Sequence, residues 1–192
     1  MNLPNQLTLS RIILSFAIIL FLLTPGVPAK GAALALFILA CLTDWWDGRL
    51  ARRRGLVTDF GILMDPIADK VLVLSCFVAF VQLGVVPAWM VVAIATREFL
   101  VTGLRLFALG KGQVLPAEAA GKHKTISQMV AIFVTLIVLV VREGLAGTEA
   151  TGALWMGRME GVIWGLAMLT VVLTLTSGVS FLWRHRRLIL NL

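Results

Sequence analysis

Apolar runs of bilayer length alternate with short polar breaks along this chain. A membrane-crossing helix needs about 20 mostly apolar residues. Six segments fit that rule: 7–23, 31–53, 61–84, 88–110, 124–141 and 160–183. Pro25, Gly26, Gly55, Gly84, Pro87, Gly110, Pro116 and Gly121 stand between or at the ends of these runs, where helix breakers belong. The pattern predicts an all-α polytopic membrane protein with six transmembrane helices in one domain, residues 1–192. There is no low-complexity stretch and no repeat of solenoid length.

Composition agrees. Of 192 residues, 59% are hydrophobic, and the mean hydropathy is +0.96. Soluble domains sit near 45–50% apolar. The formal net charge of +7 comes from basic residues that flank the apolar runs. This suits anionic lipid headgroups and topology, not nucleic acid. Arg11, Arg49, Arg52, Arg53, Arg54, Lys111, Lys122, Lys124, Arg184, Arg186 and Arg187 fall on one side of the predicted bundle. Lys30, Arg142 and Arg158 fall on the other, diluted by Glu143, Glu149 and Glu160. The positive-inside rule then makes the first side, with both termini, cytoplasmic. The N-terminal segment lacks the layout of a signal or transit peptide, and a bacterial inner membrane is the expected location. Trp155, Trp164 and Trp183 read as interface markers. Cys41 and Cys76 lie inside apolar runs and read as small apolar filler.

Against this background, a group of carboxylates stands out. Asp44, Asp47, Gly48, Ala51 and Arg52 fall at i, i+3, i+4, i+7 and i+8, one stripe of a helix. Gly61, Asp65 and Asp69 form a second stripe at i, i+4 and i+8. A short basic connection joins the two helices, so antiparallel neighbours with facing stripes are expected. Pro66 is expected in the first turn of the third helix. Ionisable groups at membrane depth are costly and therefore functional candidates. Four gathered carboxylates repel one another unless cations lie between them. An all-oxygen site of this kind suits hard divalent ions that clamp a phosphoryl displacement. Gly48 and Ala51 remove bulk from the stripe, and Arg52 can bind phosphate or pair with a carboxylate.

The run Asp44-x2-Asp47-Gly48-x2-Ala51-Arg52-x8-Gly61-x3-Asp65-x3-Asp69 resembles, without a departure, the signature of the CDP-alcohol phosphotransferases. Members of that family are six-helix membrane enzymes, as a rule homodimers. They transfer a phosphatidyl-type group from a CDP-linked lipid to an alcohol and release CMP. The resemblance implies that Asp44, Asp47, Asp65 and Asp69 bind two divalent cations, Mg2+ or Mn2+, with Asp69 also the general base. It implies a CDP-lipid pocket formed by Gly48, Ala51, Arg52 and Gly61 with Pro4, Asn5 and Thr8. These last three belong to an N-terminal stretch, ending at Arg11, that is similar to the family's nucleotide-side segment. Arg97-Glu98, Thr102-Gly103-Leu104-Arg105 and Gly121-Lys122-His123-Lys124-Thr125 resemble the branch that makes phosphatidylglycerol phosphate from CDP-diacylglycerol and glycerol 3-phosphate. The last third of the chain matches only in hydropathy.

The acceptor end also has a reading from its residues alone. Arg97 and Arg105 lie eight apart and share a helix face inside an apolar span, with Glu98 off that face. Lys122, Lys124 and Thr125 open the next helix, where backbone N–H groups attract anions. This cluster suits an acceptor that carries its own phosphate, such as glycerol 3-phosphate. Topological charge alone is an alternative account of Lys111 and Lys122. His123 reads as a surface residue and His185 as part of a headgroup patch. Three rival functions stay open at this point: another acceptor (inositol phosphate, phosphatidylglycerol or serine), a membrane prenyltransferase, and a divalent-cation transporter. The carboxylates cluster toward one face in the company of arginines, which argues against passage of a cation.

Overall fold

A computed structural model describes residues 3–54, 59–111, 119–145 and 150–186; the side chains of 3–8, 44–54, 59–63, 65–66, 119–122, 150–154 and 156 lie outside this description. The described residues form six helices: α1 (Leu3–Leu23), α2 (Val27–Arg54), α3 (Asp59–Gln82), α4 (Ala88–Gly110), α5 (Ala119–Gly144) and α6 (Ala150–Arg184). Several helices start earlier than hydropathy predicts. α2 takes in Lys30, and α6 takes in Arg158. Charged residues lower hydropathy but do not break helices. Because α3 starts at Asp59, Pro66 lies in its interior rather than its first turn. There it cannot donate to the carbonyl of Ile62, beside the aspartates.

The turns follow from local chemistry. Gly26 and Gly84 take positive φ values of 104° and 72°, which side-chain-bearing residues rarely adopt. At the end of α3, Gly84 N donates to Val81 O at 3.0 Å and Val85 N to Phe80 O at 3.0 Å. This paired pattern closes a helix on a glycine. Pro87 then opens α4 with φ −64°.

α1 packs against both α2 and α3; α5 packs on α2, α3 and α6; α4 packs on α3 and α6. The sequence suggests α2 and α3 as direct neighbours. Among the described residues they make no close backbone approach, because α1 lies against both. The core contains Ile18, Leu22, Leu72, Phe77, Phe80, Met90, Ile94, Ile132 and Leu136. Phe77 and Phe80 meet edge to face at 6.1 Å.

Polarity is inverted relative to a soluble bundle. Phe16, Leu20, Phe99 and Val179 point outward and are more than half exposed, while Arg11, Ser15, Gln128, Thr135, Thr170 and Thr174 are buried. Thr170 donates from its hydroxyl to Ser127 O across α5 and α6 at 3.3 Å. Among the described residues, two stretches are long and apolar enough to cross a bilayer, 123–144 and 157–184.

The end of the bundle formed by the α1–α2 turn is tied by charge. Glu143 accepts the Gly26 N–H at 2.6 Å. Lys30 is buried, and its ammonium donates to Leu22 O and to Thr24 O, the latter at 3.0 Å. It caps the last carbonyls of α1, a role its reading as topological charge does not contain. Lys30→Met is expected to lower stability by about 1–3 kcal/mol, the usual cost of orphaned polar groups. Thermal unfolding in detergent would show it.

Candidate active site

Arg11 on α1 and Asp69 on α3 form the first element of the site. Arg11 is 2% exposed, and its guanidinium donates to Asp69 Oδ1 at 2.6 Å; the Asp69 side chain is 48% exposed. A buried arginine thus holds a half-exposed carboxylate. Ser15 donates to the Arg11 carbonyl at 2.8 Å, anchoring the same turn. The sequence groups Arg11 with the nucleotide-side segment; the structure adds its bond to Asp69.

The other three aspartates can be placed by backbone only. Asp44 and Asp47 sit one turn apart near the end of α2, and Asp65 sits one turn before Asp69 on α3. Their side chains lie outside the description, as do those of Pro4, Asn5, Thr8, Gly48, Ala51, Arg52, Gly61 and Lys122. Among the described residues, no three His, Cys, Asp or Glu side chains gather as a metal site. The donor chemistry of the four aspartates still fits a hard divalent ion, being carboxylate oxygen throughout.

The second element is a buried charge cluster between α4, α5 and α6. Arg97 is 8% exposed. Its Nη2 donates to Ser177 Oγ on α6 at 2.8 Å, and its Nη1 lies 3.5 Å from Glu98 Oε1. The same Glu98 oxygen accepts from Lys124 on α5 and from Gln128 Nε2 at 3.4 Å. The sequence reading sets Glu98 aside as off the Arg97 face. In the structure it is the counter-ion that joins α4 to α5. Long side chains bridge a distance that helical-wheel geometry does not allow for.

Arg105 sits two turns further along α4, half-buried, with its guanidinium carbon 5.4 Å from the Phe181 ring centroid. This is a cation–π contact. Lys70 on α3 lies within electrostatic reach of Asp69, Arg105 and Arg97, and Lys124 within reach of Arg97 and Lys70. Lys70 is therefore the link between Asp69, its neighbour on α3, and the cations of α4 and α5. Thr125 is exposed, about 100° round α5 from buried Lys124. His123 is exposed, whereas His185 stacks on Phe181 with ring centroids 4.5 Å apart.

Sequence reasoning did not find Ser177, Gly178 or Phe181. A buried arginine needs a partner on a neighbouring helix, and the Ser177-Gly178 pair is a polar and small interruption in an apolar span. The Phe181–His185 spacing of i, i+4 was a further signal.

The model of the CDP-alcohol phosphatidyltransferase family matches residues 1–176, and the chain belongs to that family. It is 41% identical over 176 residues to "CDP-diacylglycerol--glycerol-3-phosphate 3-phosphatidyltransferase" of Bacillus subtilis, covering 85% of this chain and 91% of the relative. It is 39% identical over 189 residues to "Probable phosphatidylglycerophosphate synthase" of Mycobacterium tuberculosis, covering 97% and 82%. A Rickettsia typhi protein named as the first is 38% identical over 183 residues, 94% of both chains. Shared sequence therefore reaches into the last third of the chain, beyond the likeness in hydropathy alone.

Proposed function

We propose that this protein transfers the phosphatidyl group of CDP-diacylglycerol to glycerol 3-phosphate, giving phosphatidylglycerol phosphate and CMP. The observation that supports the reading is Lys70, which couples electrostatically to Asp69 on one side and to Arg97, Arg105 and Lys124 on the other. An acceptor with a phosphate at one end and a primary hydroxyl at the other would span the two. The phosphate rests on the cations, and the hydroxyl reaches the carboxylate. Serine has no phosphate and offers such a cluster only a singly charged carboxylate.

In this reading the chain is one domain of six spans in a bacterial inner membrane, with both termini and the site on the cytoplasmic side. The outward apolar side chains and buried polar ones support it. Lipid tails lie against the bundle, and the protein works as a homodimer. Pro4, Asn5, Thr8, Gly48, Ala51, Arg52 and Gly61 line the CDP-lipid pocket. Lys122 and Thr125 border the acceptor phosphate. Asp44, Asp47, Asp65 and Asp69 would hold two divalent cations, Mg2+ or Mn2+. When bound, these ions supply charge stabilisation at the pyrophosphate. Asp69, oriented by Arg11, takes the proton from the primary hydroxyl of the acceptor. The acceptor oxygen then bonds to the lipid-bearing phosphorus as the bond to CMP breaks.

The test follows CMP release by purified protein in detergent with CDP-diacylglycerol and magnesium. Release is expected only when glycerol 3-phosphate is added, and is expected to stop on chelation. Release that needs a different alcohol would overturn the acceptor; pyrophosphate in place of CMP would overturn the reaction.

A further inference from the structure

Arg97 and Arg105 are both held from α6, by residues one helical turn apart. Ser177 Oγ accepts from Arg97 Nη2 at 2.8 Å. Next to it, Gly178 leaves a slot for the aliphatic stem of the same arginine. A Cβ at position 178 would lie 2.7 Å from Arg97 Cγ and 3.4 Å from Arg97 Nε. Real Cβ atoms do not approach so closely, and Cγ is the near end of the side chain, so the whole arginine would have to move. Three residues on, Phe181 presents its ring to Arg105 at 5.4 Å. The Phe181 side chain is fully buried and is backed by His185, whose ring lies 4.5 Å away. The ring is thus a fixed platform.

We infer that this face of α6, formed by Ser177, Gly178 and Phe181, is a positioning site that sets the two guanidinium groups for the acceptor phosphate. The inference rests on the acceptor reading given above. Its residues lie immediately beyond the segment 1–176 matched by the family model, so family membership does not itself assign them. The physical reason is preorganisation. An arginine side chain has about 2 kcal/mol of rotamer entropy to lose. A guanidinium already fixed by a hydroxyl, a glycine slot and an aromatic face loses less of it when phosphate arrives. Glu98 pulls Arg97 from the side of its own helix, and Ser177 opposes that pull from α6. The contribution therefore falls on acceptor binding and leaves the CDP-lipid end untouched.

A purely structural role for a small-residue helix contact would look different. It would lower stability and degrade every kinetic constant together. The experiment measures initial rates of CMP release by the full chain in detergent, varying glycerol 3-phosphate and CDP-diacylglycerol in turn. Ser177→Ala and Gly178→Ala are each expected to raise the acceptor KM about tenfold or more, the scale of a lost hydrogen bond to a charged group. Phe181→Leu is expected to raise it about three- to tenfold. Ser177→Thr keeps the hydroxyl and is expected to stay near the wild-type value. In each variant kcat and the CDP-diacylglycerol KM should hold within about twofold. In an Arg97→Lys background, Ser177→Ala and Gly178→Ala should add almost nothing, because the group they position is gone.

Unchanged acceptor KM in the variants, a parallel fall of all constants, or full additivity with Arg97→Lys would each overturn the positioning role. If Gly178→Ala does not fold, the Ser177→Ala and Ser177→Thr pair decides alone. Wild-type protein that ignores glycerol 3-phosphate overturns the acceptor reading and this inference with it. Wild-type turnover with indifferent variants overturns the inference only.

Discussion

Asp69→Asn is expected to lower kcat by about a thousandfold, within the range general bases supply, while the protein still folds and binds CDP-diacylglycerol. The asparagine side chain has the same shape, and its Oδ1 can still accept from the buried Arg11 guanidinium at the position now 2.6 Å away. That is the reason to choose Asn over Ala, which would leave the Arg11 guanidinium without this carboxylate in the bundle interior, at a cost of several kcal/mol. What Asn cannot do is take a proton from an alcohol. Single-turnover CMP release, set beside CDP-diacylglycerol binding, separates the two effects. Near-wild-type turnover would remove Asp69 from the proton-transfer step.

Glu98→Ala carries the largest expected loss of stability. Arg97 and Lys124 would then face each other inside the bundle without their shared carboxylate, whose side chain is now only 9% exposed. Breaking a buried ion pair from one side costs about 3–5 kcal/mol, because the remaining charge is left uncompensated. Thermal unfolding in detergent is the measurement, and a large drop in Tm is expected. Added inorganic phosphate or glycerol 3-phosphate should recover more Tm in this variant than in the wild type. In the wild type Glu98 already neutralises part of the cation cluster, so an incoming phosphate competes with it. A variant that melts like the wild type would show that Glu98 is not the counter-ion. Equal recovery in both proteins would show that phosphate does not bind among these cations.

The two cases show different degrees of legibility in the sequence. Helix count and order could be read from apolar runs and breakers, since each span must satisfy its backbone internally whatever surrounds it. Helix ends could not, because Lys30 and Arg158 lower hydropathy without stopping a helix. The aspartate stripes were visible because i, i+3 and i+4 spacing is a property of a single helix. The Glu98 bridge to Lys124 was not, because it links residues 26 positions apart through side chains reaching across a gap.

By itself, then, the sequence determined what depends on local periodicity and composition: six helices, an apolar exterior, the register of the aspartates, and membership of a family with a fixed-spacing signature. Tertiary structure alone decided which helices touch and which charges meet. α1 lies against both α2 and α3, Arg11 reaches Asp69, Glu98 turns to Lys124, and α6 brings Ser177, Gly178 and Phe181 to the arginines of α4. Helix register follows from backbone hydrogen bonds between near neighbours. Partner choice follows from how whole helices pack and from the need of each buried charge for a counter-charge, and neither is written in the spacing of any one segment.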